Sequence, residues 1–471
     1  MWGSPRWNSS SARGNGRLPG RLRRELGVVE SYAALIGILV GAGIFEVTGK
    51  VAKLTGPSAI LGYLAFAPII LATSLPYALF GATSLGRRPG GEIAHIGAVL
   101  SPALGFVGAW LRIVSYVGAL AYLANAFAKY AFKLLPVGDA SWLLRNAVAT
   151  GSLALFWLIH VCGVRWFGRI QVVLCAVLGL SLCVFVIPGL FHIDVENYQP
   201  FFGGEGRFFE SLVPLFFAFA GFEALAQTAG EVRESRAHLP RVFLRGVAAT
   251  TAIFLLMSIV AFGVLPATDL ADAPIAEAAA VYLPDGFAAF VALGGVLAVA
   301  TSVNATMMVP SRLLVSLADD GHVPRVLGSV NERTGTPVIG LTLTLAAAAG
   351  LLLAGQVGLA LNIAVFALFI LYGLHGIAAL WMPRRAPRLW AEVPDGVSRR
   401  VMVPVVAMSV AAMIALVVLQ IWRDLEDMGT GGFRERWGAD KITTVELLAA
   451  WAAVGAVLWL LMLMRARAAT H

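Results

Sequence analysis

The chain has 471 residues, of which 59% are hydrophobic and only 13% charged, and its formal net charge is +8. A soluble domain carries about 25% charged residues, and mean hydropathy here is +0.80, so the charges are too few to coat a water-facing surface and most of that surface must face lipid. The positive balance does not indicate nucleic acid, because the arginines sit in short loops between apolar segments and build no basic face or aromatic-interleaved groove.

Residues 1–28 are rich in Gly, Ser and Arg and lack the apolar stretch of a cleaved signal peptide. They are expected to form a cytoplasmic tail without regular structure, followed by an uncleaved signal anchor. A bilayer core takes about 20 apolar residues per helix, and about twelve such segments follow. They run over 29–51, 57–85, 102–134, 142–162, 169–191, 208–232, 241–265, 287–316, 338–355, 358–382, 401–422 and 444–464. Each must be helical, because an open strand leaves backbone groups unpaired in lipid. Residues 465–471 form a short C-terminal tail.

Basic loops set the orientation. With the N-terminus inside, the cytoplasmic side holds Arg87, Arg88, Arg165, Arg169, Arg233, Arg236, Arg312, Arg325, Arg333, Arg384, Arg385, Arg399 and Arg400. The outer loops carry Asp194, Glu196, Asp269, Asp272 and Asp285 instead. Lys50, Lys53 and the stretch Arg434 to Lys441 run against this trend without reversing it. The pattern alternates correctly only for an even helix count, which places both termini in the cytoplasm of a multi-pass protein of the inner (cytoplasmic) membrane.

Two segments are interrupted. The first reads Gly37-Ile38-Leu39-Val40-Gly41-Ala42-Gly43-Ile44-Phe45, and the sixth reads Phe216-Phe217-Ala218-Phe219-Ala220-Gly221-Phe222-Glu223. Each glycine weakens a helix by about 1 kcal/mol, and the two interruptions open two successive five-helix sets. Paired interruptions of this kind mark transporter binding sites. Unwinding frees N–H groups that attract a carboxylate and carbonyls that can hold an ammonium group, a combination suited to a zwitterionic amino acid. Gly37 and Gly41 also form a GxxxG pattern, which by itself is explained by close helix packing. A dinucleotide-binding reading fails for want of a preceding strand and a βαβ unit.

At these residues the sequence resembles the amino acid–polyamine–organocation (APC) superfamily. Gly41-Ala42-Gly43-Ile44-Phe45 is similar to the first-helix signature. Phe216 to Pro240 resembles the sixth helix and its loop, and Arg312 to Pro337 resembles the loop after the eighth. The resemblance covers residues 28–382. It implies an all-α membrane fold, a LeuT-like five-plus-five inverted repeat over 29–382, with two extra helices within 383–464. It also implies that Gly41, Ala42, Gly43 and Ile44 present N–H groups to a substrate carboxylate, and that Phe217, Phe219 and Ala220 line the amine and side-chain region.

A charge at mid-bilayer costs about 2.5–3.5 kcal/mol on insertion scales and so invites a functional reading. Glu223 follows the sixth-helix break and matches an acidic position of proton-sensitive relatives, which makes it a proton-coupling candidate; the alternative is a structural carboxylate bonded to frayed backbone. Glu46 reads as a second acid, a substrate contact or a residue of the outer vestibule. Arg112, in the third segment, is accounted for by an ion pair or by snorkelling. His160 and His375 lie near cytoplasmic helix ends, where solvated or capping roles are expected over ligation. Some proton-coupled relatives carry a lysine in the fifth helix, and residues 171–190 contain none. Thr301 and Ser302 are sodium-ligand candidates, unless their hydroxyls bond their own backbone.

Cys162, Cys175 and Cys183 lie in or beside apolar segments without metal-ligand spacing. No catalytic cluster of His, Asp or Glu stands out and no Walker A motif is present, so neither an enzyme, an ATP-driven pump, a metal nor a cofactor is expected. The sequence reads as a secondary transporter of amino acids or related small organic solutes, with a polyamine or organic-cation exchanger, or a non-transporting nutrient sensor on the same fold, as alternatives. Its partners are a small-molecule substrate, membrane lipid and a coupling proton or sodium ion.

Overall fold

The computed structural model describes residues 22–88, 90–134, 141–271, 275–355, 357–394, 398–427 and 443–468. The N-terminal tail up to residue 21, Asp272, the Arg434 to Lys441 stretch and the last three residues lie outside that set, as do the side chains of Ala42 and Glu46.

Among the described residues the regular structure is helical, with one isolated bridge between Leu26 and Val232. In chain order the helices are α1 Val28–Thr55, α2 Ala59–Ala82, the short α3 Gly91–Val99, α4 Pro102–Leu134, α5 Trp142–Val161 and α6 Val164–Gly189. There follow α7 Phe208–Ala218, α8 Ala224–Gln227, α9 Ser235–Val264, α10 Ala267–Leu270, α11 Ile275–Ala280 and α12 Asp285–Asp319. The chain ends with α13 Val338–Leu353, α14 Val357–Arg385, α15 Pro387–Trp390, α16 Arg399–Asp427 and α17 Thr444–Ala468. By length and composition ten spans among the described residues can cross a membrane. Two shorter apolar helices, Phe208–Ala218 and Val338–Leu353, occupy the sixth and ninth expected segments.

Helix α1 is the hub, packed on α6, α7, α9 and α12. Helix α2 lies along α9, and α4 lies along α12 and α14. Helices α5 and α6 turn Leu155, Leu158, Val173 and Leu180 outward, more than half of each side chain exposed. Such a continuous apolar face is what lipid contact demands. Helix α17 is peripheral. Trp451 stacks on Trp110 of α4 at 4.3 Å, and each indole N–H donates to the other residue's carbonyl, at 2.7 and 2.8 Å.

Both interruptions are breaks in the backbone. In α1, Gly41 adopts φ −47 and ψ −117, outside helical geometry, and the helix resumes after it. Helix α7 stops at Ala218 and α8 starts at Ala224. Between them Gly221 takes φ +114, a left-handed conformation that side chains with a Cβ avoid. The two breaks touch. A Cβ on Gly43 would lie 2.6 Å from the Ala218 carbonyl oxygen, and one on Gly221 would lie 2.9 Å from the Ile38 side chain.

The segment before α1 is strapped to the loop after α8. The Glu25 and Leu26 N–H groups both donate to the Glu231 carbonyl at 3.0 Å, and Arg233 N–H donates to the Leu26 carbonyl at 2.8 Å.

Candidate functional site

A cavity with about 460 Å³ of empty space, its mouth included, lies where the two breaks meet α4, α12 and α14. Gly43, Phe217, Ala220, Glu223 and Ser302 line it, so five of the residues singled out in the sequence converge on one place. Tyr116 of α4 also contributes to the wall.

Gly41, Ile44, Phe219 and Thr301 sit behind that wall. Gly41 packs on Ser302 and the Ala298 carbonyl, and Ile44 is fully buried. Phe219, expected to line the amine region, is turned into the core instead. Its buried ring lies 4.9 Å from Phe254 and 6.1 Å from Tyr63. The cause is the turn after α7, which sends Phe217 and Ala220 to the cavity and Phe219 to the α2–α9 interface.

At the α7 end of the break, the Phe217 ring meets Tyr122 edge-on at 5.5 Å. The Tyr122 hydroxyl accepts from Lys50 Nζ at 2.9 Å. An aromatic and a cation from α4 and α1 thus stand beside the cavity.

The α12 hydroxyls are engaged with backbone. Thr301 Oγ1 shares its one hydrogen between the Gly37 carbonyl at 2.8 Å and the Ala298 carbonyl at 2.7 Å, and Ser302 Oγ donates to the Ile38 carbonyl at 3.1 Å. They therefore pin the loosened turn of α1 to α12. Gln171 of α6 joins them from below. Its buried amide nitrogen donates to the Ala33 and Thr301 carbonyls at 3.2 and 3.3 Å, and its oxygen accepts from Asn304 Nδ2 at 2.7 Å.

The ionic centre is larger than a single acid. Glu223 is buried, and Arg112 Nη1 donates to its Oε1 at 2.9 Å. Tyr116 donates to the same oxygen at 2.9 Å, while Tyr372 and the Gly221 N–H, the latter at 3.0 Å, donate to Oε2. Arg112 also donates through Nε, at 2.6 Å, and through Nη2 to Oε1 of Glu92, whose other oxygen accepts from Tyr77. Arg112 is fully buried, so the ion-pair account holds and snorkelling does not.

Glu92 escaped the sequence reading. Its signal was a lone acid, three residues before His95, on α3, a helix too short to register as a span. Tyr77, Tyr116 and Tyr372 had no sequence signal, since tyrosine is common in any helix and only packing shows where its hydroxyl lands.

Three further expectations change. His375 and His160 are buried rather than solvated. His375 Nε2 lies 3.0 Å from Nδ1 of His95, and His160 Nε2 lies 2.8 Å from the Asn304 carbonyl. Arg312, counted with the cytoplasmic loop charges, is fully buried and forks onto Glu231 at 2.9 and 3.1 Å. Among the described residues no group of His, Cys, Asp and Glu could hold a metal ion.

Similar proteins are transporters. The inner membrane transport protein YbaT of Escherichia coli (strain K12) is 26% identical over 66% of this chain and 74% of its own length. The methylthioribose transporter of Bacillus subtilis (strain 168) is 25% identical over 70% and 75% respectively. The branched-chain amino acid permease BcaP of the same organism is 24% identical over 68% and 72%. The sequence model of the amino acid permease family matches residues 26–432. That match covers most of a chain already shown to be helical, apolar and broken at two facing helices, and the chain belongs to the amino acid permease family of the APC superfamily, with its LeuT-like fold.

Proposed function

We propose that the protein is a secondary active transporter that moves an amino acid or a related small organic solute across the cytoplasmic membrane by alternating access. The observation that carries this reading is the meeting of the α1 and α7–α8 breaks at a cavity that holds Gly43, Phe217, Ala220, Glu223 and Ser302. Backbone groups freed at a break bind charge without a side chain. The substrate carboxylate binds the N–H groups after Gly41, and its amine binds the carbonyl side of the α7–α8 turn. Twelve spans with both termini cytoplasmic complete the assignment, residues 29–382 forming the moving core.

Glu223 closes the inner side of the cavity. It ties α4, α14 and the restart of α8 together through Arg112, Tyr116, Tyr372 and the Gly221 N–H. Opening inward must break those ties, so the cluster is where a coupling proton acts. Thr301 and Ser302 remain the candidates for sodium, at the cost of their present hydrogen bonds to α1. The polyamine reading is disfavoured by the same contacts. Among the described residues Glu223 is the carboxylate in the cavity wall, and Arg112 is paired with it.

The test is a thermal-shift screen of the purified protein against amino acids, polyamines and sulfur-containing nucleoside fragments, followed by uptake of any stabilising compound into proteoliposomes. Stabilisation and uptake of an amino acid are expected. Stabilisation without flux would favour a sensor, and a response confined to polyamines would overturn the substrate class.

A further inference from the structure

Arg112 stands between two carboxylates, Glu92 and Glu223, and all three side chains are sealed from solvent. One guanidinium balances one carboxylate. With both acids ionised the cluster holds an uncompensated negative charge, which a buried site accommodates poorly. One added proton removes it.

The hydrogen bonds distinguish the two acids. Glu223 receives four donors: Arg112, Tyr116, Tyr372 and the Gly221 N–H. Donors of this number favour the carboxylate form, and a protonated Glu223 would face donors with its own O–H. Glu92 is different. Arg112 saturates Oε1, but among the described residues Oε2 meets only the Tyr77 hydroxyl, which can accept as readily as donate. If Tyr77 accepts, its own O–H can turn away. Beside it, with ring centroids 4.2 Å apart, lies His375, whose buried Nδ1 has no partner among the described residues.

The groups facing Glu92 come from every element around it. They are Tyr77 from α2, Arg112 and Tyr116 from α4 and Glu223 at the break, with His95 one turn on along α3 and Tyr372 and His375 of α14 packed on Tyr77 behind them. Arg112 is the buried cation in that set, and its charge is already shared.

We propose that Glu92, and not Glu223, is the proton-accepting residue of this transporter: a carboxylic acid donating to Tyr77 through Oε2 while Glu223 balances Arg112. A hydronium ion gives up one O–H bond as Oε2 gains one, leaving water, and the Tyr77 hydroxyl turns from donor to acceptor; no other covalent bond changes. When that proton leaves, Glu92 becomes a second anion competing for Arg112. The pull on Arg112 weakens its hold on Glu223 and hence the tie between α4 and the break beneath the cavity. The role in coupling rests on the transport reading above, whereas the site of protonation does not.

The experiment is infrared difference spectroscopy on the reconstituted protein, titrated between about pH 5 and 8. A buried carboxylic acid C=O band is expected in the wild type. It should shift in frequency in Tyr77→Phe, which removes the hydrogen-bond partner of Oε2, and keep its frequency in Tyr372→Phe, which removes a hydroxyl bonded to Glu223 and leaves the ring packed on Tyr77 in place. Glu92→Asp retains an acid and should move the titration midpoint. A band that follows Tyr372→Phe and ignores Tyr77→Phe would place the proton on Glu223 and overturn the proposal, as would a band unaltered in Glu92→Asp or no titrating acid band at all. Because none of these readouts needs a substrate, failure of every amino acid in the uptake assay would sink the transport reading alone.

Discussion

Arg112 carries more of the site than any other single residue, since it joins Glu92 on α3 to Glu223 at the break. Removing one partner of a buried ion pair costs about 3–5 kcal/mol, because the remaining charges stay in a low-dielectric site. Arg112→Ala is therefore expected to lower thermal stability sharply, measured by fluorescence-detected size exclusion after heating; Arg112→Lys should lose less. Wild-type stability in Arg112→Ala would mean that the cluster admits water or rearranges. Glu223→Gln leaves Arg112 balanced by Glu92 alone, which removes the surplus charge. Uptake by this variant should lose its dependence on pH between about 5 and 8. A pH profile identical to that of the wild type would separate the cluster from coupling. The sequence already singled out Glu223 and Arg112, because a charge in an apolar segment invites a reason. It did not pair them, since residues 111 positions apart become neighbours only through the packing of α4 against the break.

At the scale of elements, the proposed transport role rests on the contact between the two breaks. Gly43 sits where any side chain would run into the Ala218 carbonyl at 2.6 Å, and backbone cannot move aside as a side-chain end can. Gly43→Val should push α1 from α7 and abolish uptake while protein remains in the membrane, read from transport alongside surface-normalised expression. Near-normal uptake would show that the breaks need not touch. Phe217 stands half-buried at the cavity edge against Tyr122. Such an aromatic contact is worth about 0.5–1.5 kcal/mol beyond its area. Phe217→Ala should weaken substrate binding by several-fold or more, and Phe217→Trp should retain most of it; unchanged affinity in the alanine variant, measured by thermal-shift titration, would reduce the ring to packing. The sequence exposed both breaks through their glycines. It misplaced Phe219 because a broken helix has no fixed period from which to read facing.

For the whole molecule, the strap at residues 25–26 fastens the start of α1 to the loop after α8, next to the buried Glu231–Arg312 pair. This joins the two broken helices at the end away from Lys50. Leu26→Pro deletes the N–H that reaches the Glu231 carbonyl and should loosen the closure of that end. A cysteine placed at Ser235, buried just beyond the strap, should then react faster with a membrane-permeant thiol reagent, in a background lacking Cys162, Cys175 and Cys183. Equal rates with and without the proline would leave the strap without a role in closure. With an impermeant reagent, cysteines at the exposed Arg24 and Arg333 should react only from the cytoplasmic side, and reaction from outside would invert the topology.

Sequence alone determined the environment, the helical class, the family resemblance and the positions of both breaks. Those features are local: about 20 apolar residues in a row force a helix in lipid, and glycine weakens one wherever it falls. Tertiary structure decided the rest. It placed Glu92, on a helix too short to span, against Arg112, and it brought three tyrosine hydroxyls to the two acids. It also buried His160, His375 and Arg312, which had looked like polar ends of helices. The physical reason is that each of these pairings joins residues far apart in the chain, and a buried polar group shows its purpose only through the partner that satisfies it.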